Sequence, residues 1–171
     1  MLGGDFQEGF VSSLSDVEGE LVVNCTGLGA RELCDDEEVV PVRGQIIYIE
    51  QDPGFGRFDQ RPENLIYTIP RRDVTVLGGT AQRGDWHGEV RESDTVEILE
   101  KCSVLWPELD RSKIVGKAVG LRPSRSEVRL EVERSEGRMV IHNYGHGGAG
   151  VTLSWGCADE VVALVSRMNQ P

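Results

Sequence analysis

The stretch Gly145–Gly150, GHGGAG, puts four glycines within six residues. It follows the apolar run Arg138–Tyr144 (RMVIHNY) and precedes a helical pattern that fills the rest of the chain. So dense a glycine turn restricts the local fold to strand, sharp turn and helix. Its letters also spell G-x-G-x-x-G, the fingerprint of a dinucleotide-binding turn. Such a turn needs a second strand after its helix, ending near an acidic residue about 20 positions on that holds the ribose. Here Val151, Trp155, Ala158, Val162 and Val165, spaced by four and three, carry a helix to Met168, three residues before Pro171. The adenosine-binding reading therefore fails on length. A plain turn would need one or two glycines. Four imply that backbone closely approaches something, beside the N–H donors and positive dipole end of a helix. Residues Gly147–Thr152 are thus expected to hold a cofactor ring or an anion, with the Thr152 hydroxyl as a further donor.

The rest of the chain reads as mostly strands. Leu21–Cys25 (LVVNC) is a continuous apolar run, expected to be a strand buried on both faces. A turn at Thr26–Gly29 and a short helix at Ala30–Leu33 follow, then the charge run Cys34–Glu38. Gly44–Glu50 is a strand and Gln51–Glu63, rich in Pro, Gly, Asp and Arg, a surface loop. Asn64–Pro70 and Val74–Leu77 form a hairpin closed by Gly78-Gly79. Ser93 or Asp94 caps a helix to Leu105, stopped by Pro107, with Val96, Ile98, Leu99, Cys102 and Leu105 at helical spacing. Lys113–Leu121 and Val128–Val132 read as two strands joined through Arg122-Pro123-Ser124-Arg125. The expected class is α+β, with a mixed or antiparallel central sheet.

A net charge of −11 leaves no basic stripe for nucleic acid and disfavours an anionic membrane surface. It still allows one or two arginines to hold a small carboxylate. No continuous apolar run approaches the length of a membrane span, and the N-terminal MLGGDFQEGF lacks a basic start and apolar signal core. The four cysteines, Cys25, Cys34, Cys102 and Cys157, form no C-x-x-C and read as reduced thiols. His142 and His146 are interrupted by Gly145 and have no third partner, so no metal is expected. There is no G-x-S-x-G and no Walker loop. Asp85-Trp86-His87 can cap a turn. Arg122, at the end of an apolar run and before Pro123, has an extended backbone and a fixed direction. Taken alone it is an ordinary surface arginine, and Tyr67 a strand aromatic with its hydroxyl at an edge.

Several pieces together resemble the D-amino-acid oxidase and D-aspartate oxidase family. They are VVNCTGLGAREL (Val22–Leu33), PVRGQI (Pro41–Ile46), VTVLGGTAQRGDW (Val74–Trp86), GLRPSRSEVRLE (Gly120–Glu131) and IHNYGHGGAGVTLSWGCA (Ile141–Ala158). The resemblance implies FAD chemistry: a D-amino acid gives its α-hydride to the flavin, the imino acid hydrolyses to a 2-oxo acid and ammonia, and oxygen is converted to hydrogen peroxide. It implies that Arg122 and Tyr67 bind the substrate carboxylate and that the Gly148 carbonyl accepts from the substrate amine. It also implies that Gly147, Gly148, Gly150, Val151 and Thr152 face the flavin and that Thr26 lies near FAD. No acid–base residue is required. The fold so implied is a substrate-domain sheet plus the C-terminal strand–glycine loop–helix of an incomplete Rossmann-type FAD-binding domain. Residues 1–40 would be a remnant of the FAD-binding domain, 41–136 the substrate-binding domain, and 137–171 the C-terminal strand, loop and helix.

Family members begin with a strand–GxGxxG–helix that holds the FAD pyrophosphate, and that half is absent from these residues. The expectation is a fragment that binds FAD poorly by itself; the alternative is a truncated, inactive family member. Ala81 stands where D-aspartate oxidases carry an arginine in G-G-T-R-Q, with Arg83 two residues on, so a neutral D-amino acid is expected over D-aspartate. The chain is expected to be cytoplasmic or peroxisomal, although SRMNQP is not a peroxisomal tripeptide. A homodimer is left open.

Overall fold

The computed structural model describes residues 3–59, 61, 65–135 and 137–168. They form two compact units, one of residues 1–39 and 125–171, the other of Val40–Ser124. The division between them falls at Ser124/Arg125. Strand β7 runs unbroken over Ile114–Ser135, where two strands were expected. Pro123 does not interrupt it, because it stands opposite Pro41. Two residues without N–H face each other there, so neither leaves a donor of the other unpaired.

In the Val40–Ser124 unit the strands are β2 (Val40–Ile49), β3 (Arg57–Asp59), β4 (Ile66–Pro70), β5 (Thr75–Gly78), the two-residue β6 (Gln82–Arg83) and the first half of β7. All pairings are antiparallel: β7–β2–β5–β4–β3, with β6 extending the β5 side of β2. Helix α2 (Glu92–Leu105) lies on one face. Alternation along β2 sends Arg43, Gln45, Ile47 and Ile49 to that face. Ile47 and Ile49 pack with Leu77, Ile66, Ile98, Leu99, Cys102 and Trp106 into one core. The helix start differs from expectation. Arg91 is the cap position and supplies no side-chain bond. Asp94 is buried and pairs with Arg43 at 2.5 Å instead. The fully buried Arg43 also donates to the carbonyls of His87 and Glu89 and to Gln45 and Gln82, so the charge is fully partnered. Residues 60, 62 and 63 of the expected loop and residue 64 of the expected strand lie outside the described residues. Within that stretch, Arg57–Asp59 forms β3 rather than loop.

In the other unit β1 (Leu21–Asn24) runs parallel to β8 (Arg138–His146), which neighbours β7. The helices are α1 (Ala30–Leu33) and α3 (Gly150–Met168). The sheet material of the chain is therefore mixed, as expected. One expectation fails here. β1 is buried on alternate residues only: Val22 and Asn24 are buried, whereas Leu21 and Val23 are 37% and 43% exposed. The apolar stripe of α3 lies open, with Val151 91%, Trp155 82% and Val162 64% exposed. Helical residues Gly147–Met168 are also long and apolar enough, by length and composition alone, to cross a membrane. Core helices of soluble proteins pass the same test.

Candidate functional site

The Val40–Ser124 unit brings Arg122 and Tyr67 together on the sheet face opposite α2. Arg122 stands across from Val42. Tyr67 stands across from Gly78, which in turn faces Ile46. Val42, Gly44 and Ile46 alternate onto one face of β2, so both side chains rise from that face. The Arg122 guanidinium donates to the carbonyls of Thr80 (3.2 Å) and Val42 (3.4 Å) and lies flat over Gly44. A Cβ at Gly44 would stand 2.1 to 2.3 Å from its Nη1, Nη2 and Cζ atoms. The Tyr67 ring occupies the space above Gly78 and Gly79: a Cβ there would lie 2.0 Å from Cζ and 2.6 Å from Oη respectively. Three glycines of R-G-Q and L-G-G-T thus provide clearance for the two side chains. Burial pushes the Tyr67 phenol above its usual value, against the pull of Arg122. Phe58 stacks on Tyr67 at 5.4 Å, tilted by 32°. A cation and a neutral phenol on one face suit a carboxylate, because the guanidinium offers a two-pronged donor and the phenol a third.

The unit of residues 1–39 and 125–171 carries the glycine loop. Gly145 and Gly147 have φ of 88° and 56°, conformations that favour glycine. Gly145 is also hemmed in, since a Cβ would lie 2.7 Å from the Cβ of Arg125. Gly150 differs: an added Cβ would meet only His146 Cβ at 3.8 Å, an ordinary contact. Its lack of a side chain is not required by packing within this chain. The turn Gly147–Ala149 starts without a side-chain cap, and Gly148, Ala149, Val151 and Thr152 are exposed. Helix-start N–H groups open in this way fit an electron-rich ring edge such as the pyrimidine of a flavin. The side-chain oxygen of neighbouring Asn143 is buried with no hydrogen-bond partner among the described residues. Thr26 is exposed, and its N–H and hydroxyl both bond Asn24 Oδ1, at 3.2 and 2.7 Å.

Sequence reasoning missed Asn24 and His142, both 1% exposed, and the ion network beside them. Arg129 donates to Tyr144 Oη at 2.7 Å, and Tyr144 donates to Asp36 Oδ2 at 2.9 Å. Asp36 also takes Arg125 at 2.9 Å. Burial pushes the Asp36 carboxyl up, but these partners outweigh it and hold it below its usual value. The signal available was a polar residue directly after each of two short apolar runs, Asn24 after LVV and His142 after MVI, which the parallel register sets side by side.

The model of the family of FAD dependent oxidoreductases named DAO matches residues 4–164. The chain belongs to this family. Its relatives include the D-amino-acid oxidase of Rubrobacter xylanophilus, 48% identical over 168 residues, 95% of this chain and 51% of the relative. The D-amino-acid oxidase of Dictyostelium discoideum is 44% identical, over 97% of this chain and 49% of its own. Human D-aspartate oxidase is 41% identical over 86% of this chain and 44% of its own. The chain thus spans about half the length of the curated relatives it matches. Glycine oxidase from Bacillus cereus, 21% identical, shares the fold with a TM-score of 0.76 over 88% of this chain. For a DAO-family chain the open N–H groups at the glycine loop are the described feature that suits FAD.

Proposed function

We propose that this chain carries the carboxylate-binding and flavin-ring-facing parts of an FAD-dependent oxidase of neutral D-amino acids. The observation that supports it most is the Arg122–Tyr67 pair, set on one face over Gly44, Gly78 and Gly79, which leave those side chains their space. Arg122 binds and orients the substrate carboxylate as a bidentate partner, and the Tyr67 hydroxyl donates to the same group. When bound, FAD supplies the hydride acceptor and passes electrons to oxygen, which becomes hydrogen peroxide. Gly147, Gly150, Val151 and Thr152 present backbone donors where negative charge develops, which favours the transfer. Thr26 would lie near FAD.

Neutral substrates are favoured over D-aspartate. Arg83, the second arginine opposite Val42, bonds Ser124 Oγ at 3.1 Å. Ser124 pairs with Val40, so this guanidinium leans along the sheet away from Gly44, over which Arg122 lies. Ala81 offers no cation. The test is peroxide release from D-alanine and D-aspartate by the FAD-loaded protein that contains these residues. Faster turnover of D-alanine is expected; preference for D-aspartate would overturn the substrate assignment.

A further inference from the structure

Outside the proposed substrate and flavin residues, the unit of residues 1–39 and 125–171 holds a thiol, an imidazole and a carboxylate in series. Their protonation follows from one fixed donor. The backbone N–H of Thr26 can only donate, and it meets Asn24 Oδ1 at 3.2 Å, with the Thr26 hydroxyl at 2.7 Å. The other end of the Asn24 amide is therefore nitrogen. That nitrogen lies 3.1 Å from Cys34 Sγ and 3.2 Å from His142 Nδ1. With two hydrogens it donates to both, so His142 Nδ1 is an acceptor and the ring proton sits on Nε2. Nε2 faces Glu133 Oε2 at 3.1 Å, which accepts it. The same Nδ1 lone pair, which accepts from Asn24, also stands 3.8 Å from Cys34 Sγ. Nucleophile, base and orienting carboxylate are thus connected, as in activated-nucleophile sites.

The groups around His142 are Arg129, Glu131 and Glu133 from β7, Tyr144 from its own strand, and Cys34 beyond α1. Burial and Arg129 hold the imidazole below its usual 6.5, in the neutral form a base needs. Burial also pushes the Cys34 thiol up, so without a base its sulfur would stay protonated. A cavity of about 300 Å³ opens onto Cys34 and His142. Glu32, Asp35 and Glu133 also line it, so it repels anions and admits small neutral reagents.

We propose that Cys34 is a base-assisted thiol that is oxidised by hydrogen peroxide to the sulfenic acid, with His142 as base, Glu133 as its positioning residue, and Asn24 as donor to the sulfur. In the step, the Cys34 proton passes to His142 Nδ1 and the thiolate attacks one peroxide oxygen. The S–O bond forms and the O–O bond breaks. The departing hydroxide takes the proton from Nδ1 and leaves as water. Sulfur loses two electrons and peroxide gains them.

The test treats the 171-residue chain with hydrogen peroxide, traps sulfenic acid with dimedone, and maps the adduct by mass spectrometry. Cys34 is expected to be trapped far faster than the buried Cys102, whose thiol is pushed up to about 11 by burial. Its rate should level off at or below pH 6.5, where His142 becomes neutral, rather than climb through pH 9. Glu133→Gln should slow trapping at Cys34 by at least about tenfold while Cys25 in the same sample is unchanged. Glu133 is 46% exposed, and circular dichroism checks that the variant keeps its fold. If it does not, the wild-type pH profile decides. Trapping at Cys34 no faster than at Cys102, a rate rising through pH 9, or an unchanged rate in a folded Glu133→Gln would each overturn the proposal.

Discussion

Substituting Gly44 with alanine separates packing from function at Arg122. The backbone of Gly44 needs no left-handed conformation, so alanine introduces no strain there. Its methyl would lie 2.1 Å from Nη1, 2.2 Å from Nη2 and 2.3 Å from Cζ of Arg122. Relief to ordinary contact moves the guanidinium by about 1.2 Å, a displacement of the size that degrades positioned chemistry about a hundredfold. The side chain has a flexible stem and is only half-buried, so stability should change by less than about 1 kcal/mol. Loss of one charge-assisted interaction with the substrate carboxylate costs about 1.5–3 kcal/mol, or about 10- to 150-fold in affinity. The internal control is Gly120, which pairs with Gly44 across β2 and β7. A Cβ there would meet nothing within 4 Å, so Gly120→Ala should be near neutral. The assay is steady-state peroxide release with D-alanine, with the loss expected chiefly in KM. Equal kinetics for the two variants would refute the clearance argument.

Gly150→Ala should leave the stability of the chain equal or slightly raised, by up to about 1 kcal/mol of helix propensity, yet weaken flavin retention. Flavin absorbance after gel filtration reads this, and full retention would remove the cofactor reading of that glycine. Asp94→Asn breaks the buried pair with Arg43 and should cost about 3–5 kcal/mol in urea unfolding; a loss under about 1 kcal/mol would show the pair to be dispensable. Asp36 has its folded value below the usual 3.8. Its contribution is therefore complete above 3.8 and lost as pH falls through the folded value. Asp36→Asn should flatten acid unfolding in that window, and an unchanged acid midpoint contradicts this. The open stripe of Val151, Trp155 and Val162 should make the isolated chain self-associate. Sedimentation then shows concentration dependence that Trp155→Ser reduces; a strict monomer at high concentration contradicts it.

Local elements were legible where periodicity and punctuation agreed. α2 and α3 emerged from spacing, Ala30–Leu33 from its place after the Thr26–Gly29 turn, and Gly145–Gly150 from glycine density. What the sequence concealed depends on partners far along the chain. Pro123 looked like a break because its proline partner, Pro41, is 82 residues away. Asp94 looked like a cap because nothing local announces Arg43. Helical spacing located α3 but could not show that its apolar stripe lies open, because spacing records amphipathicity without saying what covers it. At the candidate site, Arg122 and Tyr67 were found through resemblance. Gly44, Gly78 and Gly79 became meaningful only once the sheet register had set those side chains above them. The Asn24–His142–Cys34 network joins residues 118 and 108 positions apart, beyond any periodic signal.

The central assignment, a carboxylate held by Arg122 for oxidation of a D-amino acid, is tested most directly by anaerobic titration. D-alanine is added to the FAD-loaded protein and to its Arg122→Leu variant, following flavin absorbance. The account predicts rapid bleaching in the wild type, and bound flavin in the variant that bleaches only at substrate concentrations raised by about a hundredfold. Flavin that stays oxidised in the wild type under saturating D-alanine, or equal bleaching in the variant, would contradict it.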